Sequence, residues 1–526
     1  MERLPFSRRD FVAGAGALGA VTIFSPQALG QELSGRRRAP TLRGGRFKEG
    51  VLSGDPTPRG ITLWTRLAGV EGRGNVELEV ASDRGFRKVV ARKLITTSGR
   101  IDHSVKARVG GLDPHEQYYY RFSTRSSNSP VGRFRTALPA DSRQAVKFAF
   151  FSCQDYTFGY YSAHALLANE DIDFVVNLGD YIYAETYHSA GSKSGGVRTD
   201  PIGVANSLKD YRAKYALYRS DKTLRRVHAK FPMISVWDDH EVIDNYAGGA
   251  PGNGEVPPLA ESIERAAYRA YFESMPTYAG PPRKGTRIYR AMRFGRNVDL
   301  VLLDQRQYRD DQPCGDKQVG PPCPELEQPR YYLGRKQMSF LKRRLDRTPA
   351  TWKLIANQAL VMKTLYPGGQ YIGFDSWQGY PRERRELLQF IKAKKIKDVA
   401  FLTGDIHTFI AGDVRVNDND PVPVATEFAA GSISSIGLGE GGGGLLPGAD
   451  PNNPKTPQAL IDLLRRQNPW VKDADFDHHG YGLVRASRSE LSVKFRRAAS
   501  IKQRRSPKLA DAPFVYKLKR GQKSLL

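Results

Sequence analysis

One pattern that recurs along the chain constrains its fold most strongly: an apolar run that stops at a glycine followed by a carboxylate. Residues 173–183 show it most clearly, because the run closes at Gly179 and Asp180 follows directly. A run of about four to eight apolar, β-branched residues closed by glycine is typical of a buried strand in a parallel sheet. Ligand sites in α/β sheets lie beyond the carboxyl ends of such strands. Asp180 is therefore a candidate site residue, and a turn would bring Tyr183 to the same side.

Three further apolar runs end in the same way. Taken alone, Asp180 would be interpreted as a helix N-cap, which Asp favours, and Tyr183 as half-buried packing. The other runs end in ligand-type side chains: Cys153 after 146–152, Asp238, Asp239, His240 and Glu241 after 233–237, and Asp405 and His407 after 399–404. Four buried strands would thus deliver metal-binding residue types to one edge of the fold, which favours a site over isolated caps.

Length and composition indicate a large globular protein. The chain has 526 residues, of which 40% are hydrophobic and 10% aromatic. These values allow two to four domains with a substantial core and exclude a disordered chain. Outside the N-terminus no apolar run approaches the roughly 18 residues of a membrane-spanning helix, so we expect no transmembrane anchor in the mature chain.

The chain is strongly basic, with a formal net charge of +26. A field of this sign attracts phosphoesters, anionic wall polymers and nucleic acid. The basic residues are scattered and not interleaved with aromatics as in single-strand binding surfaces, so specific nucleic-acid recognition is not predicted. A solvated basic surface and a funnel for an anionic substrate both remain open.

The N-terminus resembles a twin-arginine export signal. Arg8 and Arg9 precede a mildly apolar stretch over 13–24, and the small residues of 28–30 suit a cleavage site. The alternative is an amphipathic or anchoring helix. The signal over 1–30 predicts a periplasmic or secreted protein and the twin-arginine translocation machinery as a partner, a route associated with proteins that fold and load a cofactor before export.

The three cysteines divide into a pair and a single thiol. Cys314 and Cys323 bracket a Pro-rich loop, and an oxidising compartment favours a loop-closing disulfide between them. Cys153 is left at a strand end. It is either a buried hydrophobe or a metal ligand, and its position favours the ligand.

The order of element patterns predicts two domains after a basic linker at 31–46. Short alternating runs separated by turns over 47–138 indicate a β-sandwich of the immunoglobulin or fibronectin type, with a hinge at 139–145. From 146 to 520 strands alternate with helical stretches, which indicates an α/β domain. The predicted helices are 207–230, 262–274, 335–346 and 383–395. A strand is expected at 514–520, and the Gly-rich segment 437–454 is expected to be a flexible surface loop.

The candidate ligands fall into two chemical sets. Phenolate, thiolate and imidazole together, from Tyr183, Cys153 and His407, favour ferric iron. The oxygen-only donors Asp239, Asn357 and Asp405 favour a hard ion such as calcium, or magnesium or manganese, with Asp180 bridging the two. Asn357 enters because it ends another buried run, over 352–358.

Two cations roughly 4 Å apart form a clamp for in-line displacement at phosphorus, so the expected reaction is phosphoester hydrolysis. His240, next to Asp239, would steady the phosphate or protonate the leaving oxygen. The alternative is a buried histidine satisfied by hydrogen bonds.

The ordered motifs resemble the PhoD-like alkaline phosphatase D family, which also includes bacterial phospholipase D enzymes. The motifs are Cys153-Gln154, Gly179-Asp180-Tyr181-Ile182-Tyr183, Trp237-Asp238-Asp239-His240-Glu241, Asn357-Gln358 and Gly404-Asp405-Ile406-His407, after an opening Gly50–Pro56 and Leu63–Arg66. The resemblance implies an αββα metallophosphoesterase sandwich behind the β-sandwich, with iron and calcium as metals. It assigns Cys153, Asp180, Tyr183 and His407 to iron and Asp180, Asp239 and Asp405 to calcium.

The expected activity is therefore hydrolysis of phosphomonoesters and, secondarily, phosphodiesters. A phospholipase D-type or wall-polymer diesterase on the same fold is the first alternative, and a non-catalytic surface binding protein is the second. Some relatives close their site with a C-terminal helix, whereas this chain ends in an expected strand and a basic tail. The segments 189–196 and 437–454 are expected to shape the entrance instead.

Overall fold

A computed structural model of the protein describes residues 39–250, 252, 259–278, 287–366, 368–444, 449–504, 507–510 and 512–525. The predicted export signal lies outside the described residues. The chain divides into two compact units. Unit 1 comprises the described residues up to Thr136 together with His228–Met233 and the described part of Phe272–Arg287, and unit 2 comprises the remainder.

Unit 1 is an all-β domain with two antiparallel sheets. Its strands are β1 (Val51–Thr57), β2 (Gly60–Arg66), β3 (Arg73–Ala81), β4 (Val89–Ser98), β5 (Ser104–Gly110), β6 (Gln117–Ser123) and β7 (Gly132–Arg135). One sheet has the order β4-β3-β6-β7, and β1, β2 and β5 are neighbours in the other. Side chains along these strands alternate between the core and the surface. In β6 the side chains of Tyr118, Tyr120 and Phe122 are buried, while those between them are half-buried.

The core of unit 1 gathers the inward-facing residues of both sheets, among them Val51, Leu63, Val80 and Phe122. Residues 39–46, which the sequence assigns to the linker, lie along this unit, because the backbone of Leu42 donates to that of Asn75 at 2.9 Å. The predicted all-β sandwich is confirmed as the fold of this region.

Unit 2 contains the α/β part. Its strands are β8 (Val146–Phe151), β9 (Phe174–Asn177), β10 (Met233–Ser235, of which Met233 belongs to unit 1), β11 (Arg290–Phe294), β12 (Val298–Leu302), β13 (Val319–Gly320), β14 (Trp352–Asn357), β15 (Leu365–Tyr366), β16 (Gln370–Ile372), β17 (Val399–Thr403), β18 (Phe409–Val414), β19 (Ala425–Ala429), β20 (Val471–Asp475), β21 (His479–Ala486), β22 (Glu490–Ala498) and β23 (Phe514–Lys519).

Two large sheets organise these strands. The first runs β23-β22-β21-β8-β9-β10 within unit 2, and the second runs β11-β12-β14-β17-β19-β18-β20. β8 and β9 are parallel, as are β12, β14, β17 and β19 in succession. Parallel strands are buried on both faces, which is why β12 and β17 are apolar almost throughout and completely buried. The α/β class predicted for this region is confirmed.

Seven α-helices lie among the described residues. They are α1 (Ser162–Leu167), α2 (Leu208–Tyr218), α3 (Lys222–Lys230), α4 (Glu261–Ser274), α5 (Gly334–Arg347), α6 (Pro381–Ala393) and α7 (Gln458–Gln467). The predicted helix over 207–230 is in fact two. Asp221 separates them, because its carboxylate accepts the backbone N–H of Thr223 at 2.7 Å and so caps the second. Helix α7 has no counterpart among the predicted helices.

Three further expectations can be compared with the structure. Cys314 and Cys323 form the predicted disulfide. The expected C-terminal strand is β23. The segment 437–454 differs from a surface loop at its start, because Leu438–Glu440 forms a 3-10 turn in which Glu440 is buried and bonded to His479 at 2.9 Å. None of the helices in the described part of the chain combines the length and apolar character that a membrane crossing requires.

Candidate metal centre

Four of the predicted ligands lie in loops that directly follow strands of unit 2, and all four have left-handed backbone conformations. Their φ angles are 57° at Cys153, 52° at Asp180, 63° at Asp405 and 54° at His407. Non-glycine residues adopt this region rarely, and such conformations concentrate at functional sites. The tight turns let each strand deliver its side chain immediately beyond its end.

The glycines of the recurring pattern allow these loops to meet. Gly179 has a φ of 119°, and a Cβ added there would lie 2.4 Å from the Cβ of Asp238. A Cβ at Gly404 would lie 2.7 Å from both Cβ and Oγ of Ser152. Glycine is therefore required by close approach of neighbouring chain segments, and at Gly179 also by its backbone angle.

The side chains that follow the strands form three overlapping groups suited to hold metal ions. Within each group the ligand atoms all lie within 4.8 Å of one another. The groups are Cys153, Asp180 and His407; Asp180, Asp239 and His240; and Asp238, Asp239 and Asp405. Asp180 joins the first group to the second, and Asp239 joins the second to the third. The arrangement is a continuous row of donors, with the thiol and one imidazole at one end and only carboxylates at the other.

Tyr183 belongs to the thiol end of this row. Its hydroxyl lies 3.2 Å from Nε2 of His407 and 3.4 Å from Oδ2 of Asp180, and it accepts a hydrogen bond from Ser435 at 2.6 Å. The Nδ1 of His407 is bonded to the backbone carbonyl of Ile436 at 2.8 Å. That bond fixes the ring so that Nε2 faces the phenol, as second-sphere bonds do for metal-binding histidines.

The electrostatics of the row fit a site for cations. Asp180, Asp238 and Asp239 are buried, and each has a carboxylate oxygen without a hydrogen-bond partner. Burial, and then the charge of Asp239, raises the pKa of Asp180 well above its usual value. Burial, and then Asp375, raises the pKa of Asp405 to about 7. Carboxylates crowded in this way repel one another unless positive charge lies among them, and donors of this kind fit the metal ions that the family resemblance implies.

The same burial shifts the pKa values of the thiol, phenol and imidazole donors. Burial, and then the charge of Asp180, raises the pKa of the Cys153 thiol and of the Tyr183 phenol well above their usual values. A cation is what would favour the ionised forms of both groups. Burial lowers the pKa of His407 to about 4, which leaves its imidazole neutral near pH 7, the form that ligates metals.

His240, a member of the middle group, is held in place by two contacts. Its ring stacks on that of Tyr183 with 4.0 Å between centroids, and Nδ1 lies 2.9 Å from Oε2 of Glu185. Burial opposes its charge, but the carboxylates of Asp239, Glu185 and Asp180 raise the pKa of His240 well above its usual value. The side chain is therefore placed as a proton donor or an anion contact.

Asn357 is the predicted ligand that the structure does not bring into the row with a free donor atom. Its side-chain oxygen accepts from Gln305 and, at 2.9 Å, from Trp377. Its amide group donates to the carbonyl of Ala359 and, at 3.0 Å, to the hydroxyl of Thr403. These four bonds use the full capacity of the amide, so Asn357 ties β14 to its neighbours instead.

Arg306 is a central residue that the sequence reasoning missed. It is fully buried, ion-paired with Asp238 and, at 2.8 Å, with Asp375, and its Nη2 lies 3.6 Å from Asp239 and 3.8 Å from Asp405. Arg306 lies four residues after the end of β12. The polar residues that follow the apolar run of β12 could have identified it as a candidate site residue.

Asp238 and Glu241 flank the predicted ligand Asp239 and His240 in the sequence but were not among the predicted ligands. Asp238 stands in the third ligand group. Glu241 accepts backbone N–H groups from Asp180, Tyr181 and Asp238, at 3.1, 2.7 and 2.9 Å, and so fixes two ligand-bearing loops against each other.

Comparisons with known proteins agree on one relationship. Residues 148–495 match the model of the PhoD-like phosphatase family, and residues 34–138 match that of the PhoD-like phosphatase N-terminal domain. Alkaline phosphatase D of Bacillus subtilis (strain 168) is 35% identical over 97% of this chain and 88% of its own length.

Two solved structures are similar. One, described as the structure of PhoD, superposes with a TM-score of 0.81 at 32% identity and covers 92% of each chain. The purple acid phosphatase PPD1 of yellow lupin, Lupinus luteus, superposes with a TM-score of 0.53 at 13% identity over 89% of this chain and 73% of that one. The second likeness concerns the fold alone.

The two packed sheets, with carboxylate, thiol and imidazole donors beyond their strands, define a metallophosphoesterase fold. Within that class the chain belongs to the PhoD-like phosphatase family. It is a phosphoric ester hydrolase, so the alternative of a non-catalytic surface binding protein is wrong.

Proposed function

We propose that this protein hydrolyses phosphomonoesters, and secondarily phosphodiesters, at a centre that holds ferric iron and calcium. The observation that carries the proposal is the row of three overlapping donor groups linked through Asp180 and Asp239. A shared carboxylate between two groups of unlike donors suits two unlike cations in contact with one substrate.

Iron is assigned to the end of the row that carries the thiol. Cys153, Asp180, Tyr183 and His407 supply one sulfur, one nitrogen and two oxygen types, and soft and phenolic donors together favour a strongly Lewis-acidic transition metal. The neutral imidazole of His407 supports this assignment.

The oxygen-only end is assigned to calcium, with magnesium or manganese as alternatives. Asp239 and Asp405 would hold this ion, with Asp180 bridging to iron. Asp238 offers a further buried oxygen without a hydrogen-bond partner. Asn357 is left out of the ligand set, because its amide is committed to Gln305, Trp377, Ala359 and Thr403.

When bound, such cations supply an activated water nucleophile and neutralise charge on the phosphoryl oxygens. Side chains of the protein supply the proton transfer and hold the acidic donors in position. His240, oriented by Glu185, donates a proton to the leaving oxygen or steadies the phosphate. Arg306 holds Asp238 and Asp375 and keeps the acidic donors in place.

The substrate we propose is a small phosphoester or an anionic polymer. The net charge of +26 would draw such anions toward the protein. We also propose residues 1–30 as a twin-arginine signal, 31–46 as a linker whose residues 39–46 lie along the β-sandwich, 47–138 as that sandwich and 146–520 as the catalytic domain. A variant with both Arg8→Lys and Arg9→Lys should remain in the cytoplasmic fraction of the producing cell, and unchanged export would contradict the signal assignment.

Elemental analysis joined to an activity assay tests the metal assignment. Purified exported protein should contain iron and calcium and hydrolyse p-nitrophenyl phosphate. Cys153→Ser should lose iron and activity while calcium changes less, because the thiol belongs to the iron end alone. The double variant Cys314→Ser, Cys323→Ser is the matched control, since its sulfurs form the disulfide and it should keep both metals. Full iron and full activity in Cys153→Ser would contradict the proposal.

A further inference from the structure

Basic side chains are concentrated on two helices of unit 2. Helix α5, with residues 334–347, and the segment 381–397 that contains α6 carry thirteen lysines and arginines but only three acidic residues. The two segments therefore supply ten of the 26 net positive charges of the chain. One of the three acids, Glu383, is buried, so the surface that the helices present to solvent is still more basic. This part of the surface departs from the scattered distribution expected for the whole chain.

The basic C-terminal turns of both helices lie at the amino ends of the parallel strands. Helix α5 ends at Arg347, just before β14 begins, and Lys397 lies two residues before β17. The donor Asp405 follows the opposite, carboxyl end of β17. The strand has five residues. Strands rise about 3.3 Å per residue, so about 13 Å of strand separates its two ends. The basic surface and the donor row are therefore at opposite ends of the same strands.

The C-terminal segment of the chain extends this basic surface. The backbone N–H of Gly521 donates to Oδ1 of Asp398 at 2.6 Å, which holds the segment after β23 beside the start of β17. The ion pair of Lys394 with Asp346, at 3.9 Å, joins the end of α6 to the end of α5. We name the exposed cations gathered here the amino-end face: Arg343, Arg347, Lys394, Lys395, Lys397, Lys519, Arg520 and Lys523.

Stabilisation of the helices explains only part of the amino-end face. Cations in the last turn of a helix interact favourably with its dipole, which accounts for Arg347. Lys395 and Lys397, however, follow the end of α6, and Lys523 belongs to no helix. These three lysines make no ion pair with a carboxylate among the described residues. Because like charges repel one another, a surface of this kind gains free energy when an external anion covers it.

The composition of the face indicates which anion fits it. The exposed tyrosines of the described residues, Tyr187, Tyr278 and Tyr308, lie in other segments, so the face offers no aromatic side chain on which a nucleic-acid base could stack. Its cations come from two helix ends and the C-terminal segment, which lie side by side. Lysines and arginines spread over such a face suit the plane of phosphate headgroups at an anionic membrane.

We propose that the amino-end face binds a bilayer of anionic phospholipid, so that the enzyme is held at a membrane surface while its donor row faces away from the lipid. The binding is electrostatic and does not depend on the reaction that the donor row performs. It gives the net positive charge of the chain a role separate from the attraction of substrate.

Sedimentation with lipid vesicles tests this binding on the purified, metal-loaded protein. At about 0.05 M salt the protein should sediment with vesicles that contain phosphatidylglycerol and stay in solution with vesicles of phosphatidylcholine alone. Raising the salt to about 0.5 M shortens the reach of the charges and should weaken binding at least about tenfold. Equal binding to both kinds of vesicle, or binding to neither, would overturn the proposal.

A triple variant locates the binding surface. Lys394→Gln, Lys395→Gln and Lys397→Gln together remove three charges from the amino-end face. They should weaken vesicle binding by about 100-fold, since each lysine near an anionic membrane contributes about fivefold. Binding equal to that of the parent protein would contradict the assignment of the face.

A second triple variant is the matched control. Lys209→Gln, Lys222→Gln and Lys455→Gln remove the same number of charges from exposed lysines of unit 2 that lie outside the amino-end face. Vesicle binding should fall by less than about threefold, because these charges do not approach the lipid. Equal losses in the two variants would show that net charge alone attracts the protein and would overturn the proposal.

Activity and a soluble polyanion complete the test. The kcat/KM for p-nitrophenyl phosphate should be unchanged when the protein binds vesicles, because the donor row lies at the other end of the strands. A loss of activity on vesicle binding would contradict that placement. Binding to long-chain polyphosphate without binding to the anionic vesicles would assign the face to a flexible polymer and overturn the proposal. Vesicle binding without any hydrolysis would support this inference and contradict only the proposed function.

Discussion

The imidazole of His240 is anchored by Glu185, whose carboxylate Oε2 lies 2.9 Å from Nδ1. The other oxygen of that carboxylate accepts the backbone N–H of Asp244 at 2.7 Å. Two bonds therefore fix the carboxylate, and the carboxylate in turn fixes the ring, which also stacks on Tyr183. Nδ1 is committed to this contact, so Nε2, which lies 3.7 Å from Oδ1 of Asp244, is the nitrogen that can act on a substrate.

The first prediction concerns this pair. Glu185→Gln should lower kcat/KM for phenyl phosphate by about 100-fold and that for p-nitrophenyl phosphate much less, because phenolate needs a proton as it leaves and p-nitrophenolate does not. The measurement is the ratio of the two rates. His240→Gln should show the same selective loss, and equal losses on both esters would exclude a proton-donating role.

A second prediction concerns the glycine pattern. Gly179→Ala should lose bound metal and a few kcal/mol of stability, because the new Cβ would meet Asp238 at 2.4 Å and the backbone has a φ of 119°. Gly203→Ala is the matched control: its φ is 75°, but nothing lies within 4 Å of the added Cβ. It should lose only about 1 kcal/mol and keep its metals. Thermal unfolding and elemental analysis measure both, and full metal content in Gly179→Ala would contradict the account.

Asp475 gives a prediction about acid stability. Burial opposes its ionisation, but bonds from His478 and Arg497 lower the pKa of this carboxyl to about 2. A pKa lowered on folding contributes stability that is present above about pH 4 and is lost as the pH falls toward 2. Asp475→Asn should therefore lower the free energy of unfolding by about 2 kcal/mol near pH 6.

The pH profile of that difference is the decisive measurement. Parent and Asp475→Asn should converge in unfolding free energy as denaturant titrations move from pH 5 to about pH 2. A difference that persists unchanged at the lowest pH would show that the aspartate stabilises the fold through packing and not through its charge.

The disulfide supplies a fourth prediction. Cys314 and Cys323 are 9 residues apart, and closing a loop of that length is worth about 2 to 3 kcal/mol in the chain-entropy model. Cys314→Ser with Cys323→Ser should lower the unfolding free energy by that amount and leave kcat for p-nitrophenyl phosphate near its parent value. A large fall in kcat would instead make the loop part of the substrate site.

It could be predicted that the ligand-bearing loops converge, because each loop is marked by a pattern in its own local sequence. An apolar run, a glycine and a donor residue specify a strand and a tight turn at its carboxyl end, as at Gly179 and Gly404, and parallel strands place those ends together. The α/β class and the N-terminal sandwich followed from periodicity for the same reason.

The rest depends on partners remote in sequence. Asn357 ends a strand as the other candidates do, but Gln305, Trp377 and Thr403 consume its amide, and no local pattern encodes those contacts. Arg306 lies just beyond an apolar run, yet its carboxylate partners come from three other segments.

Helix α7 could have been predicted from the sequence, whereas the set of segments that forms unit 1 could not. The spacing of Leu460, Ile461 and Leu464 is helical and was a usable signal for α7. That His228–Met233 joins unit 1 depends on tertiary contacts alone.

The guanidinium of Arg306 has a consequence for how the protein matures. A cluster of buried carboxylates with no positive charge among them would resist closing around itself until a cation arrived, and folding would then wait on metal supply. Arg306 is covalently part of the chain and supplies that charge from the outset. Acquisition of the fold and acquisition of the ions can thus be separate events, with the polypeptide assembling first and filling later.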